Sequence, residues 1–316
     1  MPIKRIKKIV YTSAPVKGIV AQSKRLYVPG FGEFSLYEIW SPLLLQLHRT
    51  NLIERASAIS FNIFMAIPPI LIFIFTLIPY LPISDRFIAE LFAVIRDIIP
   101  GEQNHSVIIA FLEDFLERPR NDLLSFGLLL ALIFSSNAML GVLRSFDHNY
   151  HSFMRTTTFQ KRRKAIKLTL IVFIFCFVSI MLLIAHSTVL EYLGVEIIWV
   201  RELIHNIRWL IIILLVFFSV SLIYRHGPKA TKRWPYLNPG AVLATVLMVV
   251  ATFLMTIWVE NFSTYNKLYG SIGAIFILMI LIYINSMLLL LGFELNVTIT
   301  SLKIKKVSEQ ITGKAN

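Results

Sequence analysis

Residues 56–80 read ASAISFNIFMAIPPILIFIFTLIPY and carry no formal charge. A helix needs about 20 mostly apolar residues to cross a bilayer, and this run supplies them. Working outward, five further apolar stretches follow at 123–143, 168–190, 209–224, 239–259 and 271–291, the one at 209–224 being the shortest. Soluble core helices are shorter and keep a polar face, so no soluble domain of this size needs six such runs. The sequence predicts an all-α, polytopic membrane protein with six transmembrane helices.

Composition agrees. Hydrophobic residues make up 56% of the 316, and mean hydropathy is +0.71, well above soluble usage. The net charge of +13 raises nucleic acid as a partner, but its distribution argues for orientation instead. Of the Lys and Arg residues, only Arg86, Arg96, Arg118, Arg120, Arg201, Arg208 and Lys267 fall in the first, third and fifth loops. The others flank the opposite ends of the stretches. By the positive-inside rule both termini are expected in the cytoplasm, with an even number of spans. Anionic lipid headgroups are the expected partner of these basic residues, and no nucleic acid is expected. Cys176 is the only cysteine, so no internal disulfide can form. The basic first 55 residues lack an early apolar core, so the first span is expected to direct insertion.

Three regions follow. Residues 1–55 read as a cytoplasmic basic arm followed by a short amphipathic helix on the inner leaflet, starting at Ser41-Pro42, with Leu43, Leu44 and Leu47 on one face. Residues 56–296 form the membrane domain, and 297–316 a basic cytoplasmic tail. Within the membrane domain the external connection 81–122 is not featureless. Ile88, Leu91, Phe92, Ile95 and Ile99 recur at helical spacing up to Pro100-Gly101, and Ile108, Phe111, Leu112 and Phe115 form a second set. These predict amphipathic or re-entrant helices on the external side.

Intramembrane polar groups carry the functional information in such a chain. Asn62, Pro69 and Thr76 recur every seven residues on one face of the first span. Pro68 and Pro69 leave the carbonyls of Phe64 and Met65 without helical donors, which reads either as a kinked helix lining a cavity or as a kink satisfied by a neighbouring helix. In the last span Tyr283, Met287 and Glu294 share one side, and Asn285, Gly292 and Asn296 the other. The first set suits a wet interior or, for Glu294, the cytoplasmic interface; the second suits tight packing through Gly292. The loop 261–273 holds Tyr265, Asn266, Tyr269 and Gly270, which fit interfacial anchors or a gate equally well.

Asp147, His148 and His151 are close in the second loop, but two His and one Asp make an incomplete metal set. No phosphate-cradling glycine loop or HExxH motif occurs. No cofactor or metal is expected.

The stretch 239–296 has Pro239-Gly240-Ala241, Asn261-Phe262, Tyr265-Asn266, Tyr269-Gly270-Ser271-Ile272-Gly273, Tyr283 and Leu291-Gly292-Phe293-Glu294-Leu295-Asn296. In these motifs it resembles the YihY/BrkB membrane proteins. Ala58, Phe61 and Pro69, and Ser136, Arg144, Tyr150 and Arg163, extend the likeness over about 45–300. Ala66, Pro68, Asp147 and Leu281 depart from the family pattern. The resemblance implies a six-span protein of the bacterial inner membrane. Its members have carried the labels of a tRNA-processing ribonuclease and of a virulence factor, and transport of lipids or other solutes has been suggested for them.

The expected function is a permease for a solute or lipid. Asn62, Pro69, Tyr265, Asn266, Tyr269, Gly270, Tyr283, Glu294 and Asn296 are its candidate cavity or gate, and Arg144, Asp147, Tyr150 and Arg163 its candidate cytoplasmic loop. The alternatives are a non-transporting scaffold for envelope assembly, docking partners or a second copy, and, on the inherited label, a ribonuclease.

Overall fold

The computed structural model describes residues 34–80, 109, 113, 121–147, 157–192, 198–228, 233–261 and 263–313. They form α1 (Leu36–Arg49), α2 (Leu52–Leu77, extended by a 3-10 turn at Ile78–Tyr80), α3 (Asn121–Phe146), α4 (Thr158–Tyr192), α5 (Ile198–His226), α6 (Pro239–Asn261) and α7 (Ser263–Gly313). Among the described residues there is no β-strand. Five segments are long and apolar enough to cross a membrane: Leu52–Leu77, Asp122–Phe146, Trp209–His226, Pro239–Val259 and Ile275–Ile311. The protein is thus an all-helical, multi-pass membrane protein. By length and composition the described residues supply five spans; the stretch 168–190 lies within α4, a continuous helix of 35 residues.

The helices from α2 to α7 pack in chain order, each on the next, and α7 returns to α2, which closes a six-helix ring. The main buried core fills one end of this ring. It takes Ala56 and Ile59 from α2, Leu143 and Phe146 from α3, Leu168 from α4, Val220 and Tyr224 from α5, Ala244 from α6, and Leu290 and Phe293 from α7. Away from that end burial falls along α6. The α6 face that is buried at Ala241, Ala244 and Thr245 is only half-buried at Ala251, Met255 and Val259. α2 and α3 stay close at both ends of their contact: a Cβ on Gly141 would lie 3.3 Å from the Asn62 Nδ2, and one on Gly127 3.3 Å from the Phe73 Cα.

Several element boundaries differ from the sequence reading. α1 starts at Leu36, not at Ser41-Pro42. Ser35 and Glu38 form a complete capping box, which satisfies orphan N–H groups more fully than a Ser41 cap followed by proline. Pro42 therefore lies inside the helix. Ile39 and Leu43 pack on Leu295 and Ile299 of α7, whereas Leu44, expected on the same face, is exposed. Replacing Ser35 by Ala is expected to cost about 1 kcal/mol, read as a small fall in the thermal unfolding midpoint of the solubilised protein.

α2 continues as one helix through Pro68 and Pro69 and packs against α3. The basic cluster read as a loop, Lys161 to Lys167, is already helical in α4. The loop expected at 261–273 is helical from Ser263, and the tail from residue 297 continues the same helix to Gly313. At 51 residues and about 1.5 Å per residue, α7 is far longer than the ~30 Å hydrocarbon layer, so it extends beyond one side of the membrane. The basic arm 1–33 and almost all of the external segment 81–120 lie outside the described residues.

Candidate functional site

The closed end of the ring is organised by a buried ion pair. Glu294 is fully buried and sits 2.7 Å from Nη1 of Arg55, itself 8% exposed. Arg55 occupies the first turn of α2, where the chain passes from charged to apolar sequence. Its Nη2 donates to the Ser145 carbonyl at 2.6 Å and its Nη1 to the Thr50 carbonyl at 3.3 Å. Those carbonyls end α3 and α1, where intrahelical donors run out and the helix dipole is negative. One guanidinium thus serves two helix ends and a carboxylate. Gln46 of α1 donates to the other Glu294 oxygen at 2.6 Å. The Thr298 hydroxyl lies 2.9 Å from both the Gln46 side-chain oxygen and the Glu294 carbonyl. Four helices meet at this cluster. The Arg55 Nε and the Thr50 hydroxyl are buried without a hydrogen-bond partner.

Next to it the ring centre is filled by aromatics. Phe146 of α3 stacks on Phe293 of α7, with centroids 3.9 Å apart and planes 7° from parallel. Tyr224 of α5 meets both edge-on at 5.9 and 6.1 Å, the edge geometry that ring quadrupoles favour. The Tyr224 hydroxyl donates to the Leu289 carbonyl. Trp234 covers Phe293 from below at 5.6 Å and donates to the Thr300 hydroxyl at 2.9 Å. All three central rings are inaccessible.

A third contact joins α6 to α7. Asn238 caps α6 by accepting from the Ala241 N–H at 2.8 Å, with Pro239 at the first helical position, where its missing donor is harmless. Asn296 donates to the same Asn238 oxygen at 2.6 Å and accepts from the Gly240 N–H at 2.8 Å. These amides hold the helices so close that a Cβ on Gly240 would lie 2.0 Å from the Gly292 carbonyl.

The candidate residues from the sequence are therefore dispersed. Glu294 belongs to the ion pair and Asn296 to the α6–α7 contact. Asn62 donates to the Ala58 carbonyl of its own helix at 2.7 Å and lies against Gly141. Pro69 is buried. Tyr283 is half-buried and, with Ser57, Ser60, Phe61, Phe64, Phe276, Met279 and Ile280, lines a groove of about 400 Å³ between α2 and α7. Tyr265, Asn266, Tyr269 and Gly270 fall in the first turns of α7, and nothing further is described of them. Arg144 and Arg163 are exposed, Asp147 pairs with Lys161 at 2.6 Å, and Tyr150 lies outside the described residues. Sequence reasoning missed Arg55, Gln46 and Asn238, and the rings of Phe146, Tyr224 and Phe293. Arg55 had one visible signal, a cation directly abutting a long apolar run. Its partner is 239 residues away.

Comparison with known proteins matches this architecture to a family. The chain is 29% identical over 249 residues to the ribonuclease-like protein YfkH of Bacillus subtilis, covering 77% of this chain and 88% of YfkH. It is 25% identical over 256 residues to a UPF0761 membrane protein of Xanthomonas oryzae, covering 78% of this chain but 56% of that protein. Against UPF0761 membrane protein Smlt0865 of Stenotrophomonas maltophilia it is 30% identical over 95 residues, which is 30% of this chain and 22% of that one. The chain thus spans little more than half of the Xanthomonas protein. No solved structure matches it. The family described as virulence factor BrkB covers residues 43–313, from α1 to the end of α7, and the chain belongs to that family.

Proposed function

We propose that this protein is a transporter of the bacterial cytoplasmic membrane, with both termini inside and a six-helix ring closed at its cytoplasmic end. The observation that carries the reading is the asymmetry of the ring. Every helix from α2 to α7 contributes to a buried seal at the end bearing Phe146, Tyr224 and Phe293, while the inward face of α6 loses its burial beyond Thr245. A passage shut at one end and open at the other is what alternating access requires of one of its states. The basic residues at the sealed end, including Arg49, Arg163 and Lys167, support its cytoplasmic assignment and suit contact with anionic headgroups.

Opening the seal tests this. Phe146→Ala, or the milder Phe146→Leu, is expected to raise potassium leak several-fold in reconstituted vesicles, in protein that still elutes as one folded species. Unchanged leak in both folded variants would remove the aromatic seal from any transport path.

A second reading is a non-transporting scaffold for envelope assembly. It is favoured by an exposed apolar stripe on the end of α7 at Ile304, Val307 and Ile311, spaced i, i+3, i+7 as a helix-pairing seam would be. A metal-dependent ribonuclease, which the name of YfkH invites, would need converging acidic, thiol or imidazole ligands. Among the described residues no three such side chains meet; His148 and His151 lie outside them.

A further inference from the structure

We infer that α4, the end of α5 and the chain leading into α6 together build a site for the phosphate of an anionic phospholipid, in the leaflet at the sealed end of the ring. The inference goes beyond the transport reading and does not depend on it; it needs only that these helices span a bilayer.

Two hydrogen bonds draw the three elements together. The Lys164 Nζ of α4 donates to the Gly227 carbonyl, just past the end of α5, at 3.2 Å. The Arg225 Nη1, in the last turn of α5, donates to the Trp234 carbonyl at 2.7 Å. Each element brings a cation to this corner. Lys167 stands one turn along α4 from Lys164, Arg225 belongs to α5, and Arg233 precedes Trp234. The charges of Arg233, Arg225 and Lys167 all act on the ring of His226. Lys167 and Arg233 are exposed and have no hydrogen-bond or ion-pair partner among the described residues. The Arg225 guanidinium is held in place over the Tyr236 ring, 4.3 Å from its centroid. Among the described residues only its Nη1 is engaged, so Nη2 keeps its donors. No carboxylate there pairs with any of the three cations.

Like charges gathered without a counter-charge repel one another, and an anion that enters among them relieves the repulsion. A fixed guanidinium fork with further cations beside it suits the oxygens of a phosphate. The depth of the cluster selects the carrier of that phosphate. The span Trp209–His226 ends here and the span Pro239–Val259 begins here, so the cations stand at the level of lipid headgroups. Apolar side chains lead from them toward the hydrocarbon. Tyr236 and Leu237 are 44% and 77% exposed, and Ile166 and Leu170 flank Lys167 on the exposed face of α4. A phospholipid brings its phosphate and its apolar chains together; a free phosphate would leave these side chains uncovered.

The test uses the purified full chain in detergent, titrated with phosphatidylglycerol or with phosphatidylcholine of the same chains, and counts bound lipid by native mass spectrometry. Phosphatidylglycerol is expected to occupy one tight site and phosphatidylcholine to leave it unfilled. Arg233→Gln is expected to weaken phosphatidylglycerol about five-fold, and Lys167→Gln with Arg233→Gln about thirty-fold, the equivalent of about 1 kcal/mol for each basic residue near the surface. Lys303→Gln with Lys305→Gln removes the same charge from exposed positions near the end of α7 and is expected to leave the tight site intact. An equal fall in the two double variants, or equal binding of the two lipids, would show diffuse attraction of a basic surface and overturn the site. If inorganic phosphate at the same concentration displaces the lipid, free phosphate is the occupant and the lipid assignment falls.

Discussion

Replacing Glu294 by Ala is expected to destabilise the protein by about 3–5 kcal/mol, the cost typical of removing one partner from a buried ion pair. The size follows from what remains. Arg55 would stay buried with its charge held only by the Thr50 and Ser145 carbonyls, and Gln46 would lose its acceptor. Both surfaces joined by this cluster, α1 on α7 and α2 on α3, would loosen together. Arg55→Met with Glu294→Leu is expected to recover much of the loss, because an apolar pair of similar volume needs no desolvation of charge. Thermal unfolding of the solubilised protein, followed by tryptophan fluorescence across the double-mutant cycle, reads both effects. A Glu294→Ala midpoint within error of the parent would mean that the pair holds nothing together.

The second large effect is expected at the α6–α7 contact. Gly240→Ala places a methyl 2.0 Å from the Gly292 carbonyl and 2.6 Å from the Asn296 amide; Gly292→Ala places one 2.4 Å from the Gly240 carbonyl and 2.7 Å from the Tyr224 hydroxyl. The nearest obstacle in each case is backbone, which cannot rotate away, so the helices must part. Parting breaks the Asn296 bonds to Asn238 and Gly240 and lifts Phe293 from its stack. Overpacking alone costs about 1–3 kcal/mol, and the lost buried hydrogen bonds add about 1–3 kcal/mol for each group left unpaired. Either substitution is expected to leave little folded protein, measured as the monodisperse fraction in size-exclusion chromatography. Gly127→Ala, which meets its nearest neighbour at 3.3 Å, is expected to be far milder and serves as the control.

Much of the architecture is legible in the amino-acid order, for one reason. A bilayer demands long runs without charge, and such runs have few other uses. The same logic failed at helix ends, because hydropathy reports the solvent around a residue and not its backbone state. Five of the seven residues from Lys161 to Lys167 are basic, and all seven are helical. Ser263 to Gly270 read as an interfacial loop, and they are the start of α7.

The packing of Gly292 against a neighbour was readable from its spacing with Asn285 and Asn296, since small residues and amides on one face have a clear physical use in membranes. The partner of Glu294 was not. Arg55 counts equally well as one more cytoplasmic charge until the fold brings it to α7. The central rings were hidden for a similar reason: an aromatic near the end of a span is ordinarily an interfacial anchor, and only ring closure turns Phe146, Tyr224 and Phe293 inward.

The central claim is that the inner face of the ring is sealed at one end and accessible from the other. In a Cys176→Ser background, single cysteines at Met255, on the loosened inner face of α6, and at Val297, within the seal, test it directly. A membrane-impermeant maleimide added outside intact cells is expected to label Met255→Cys and to leave Val297→Cys unmodified. If Met255→Cys resists that reagent and reacts only with a lipid-soluble maleimide, that face of α6 lies in hydrocarbon, and the outward-open ring is contradicted.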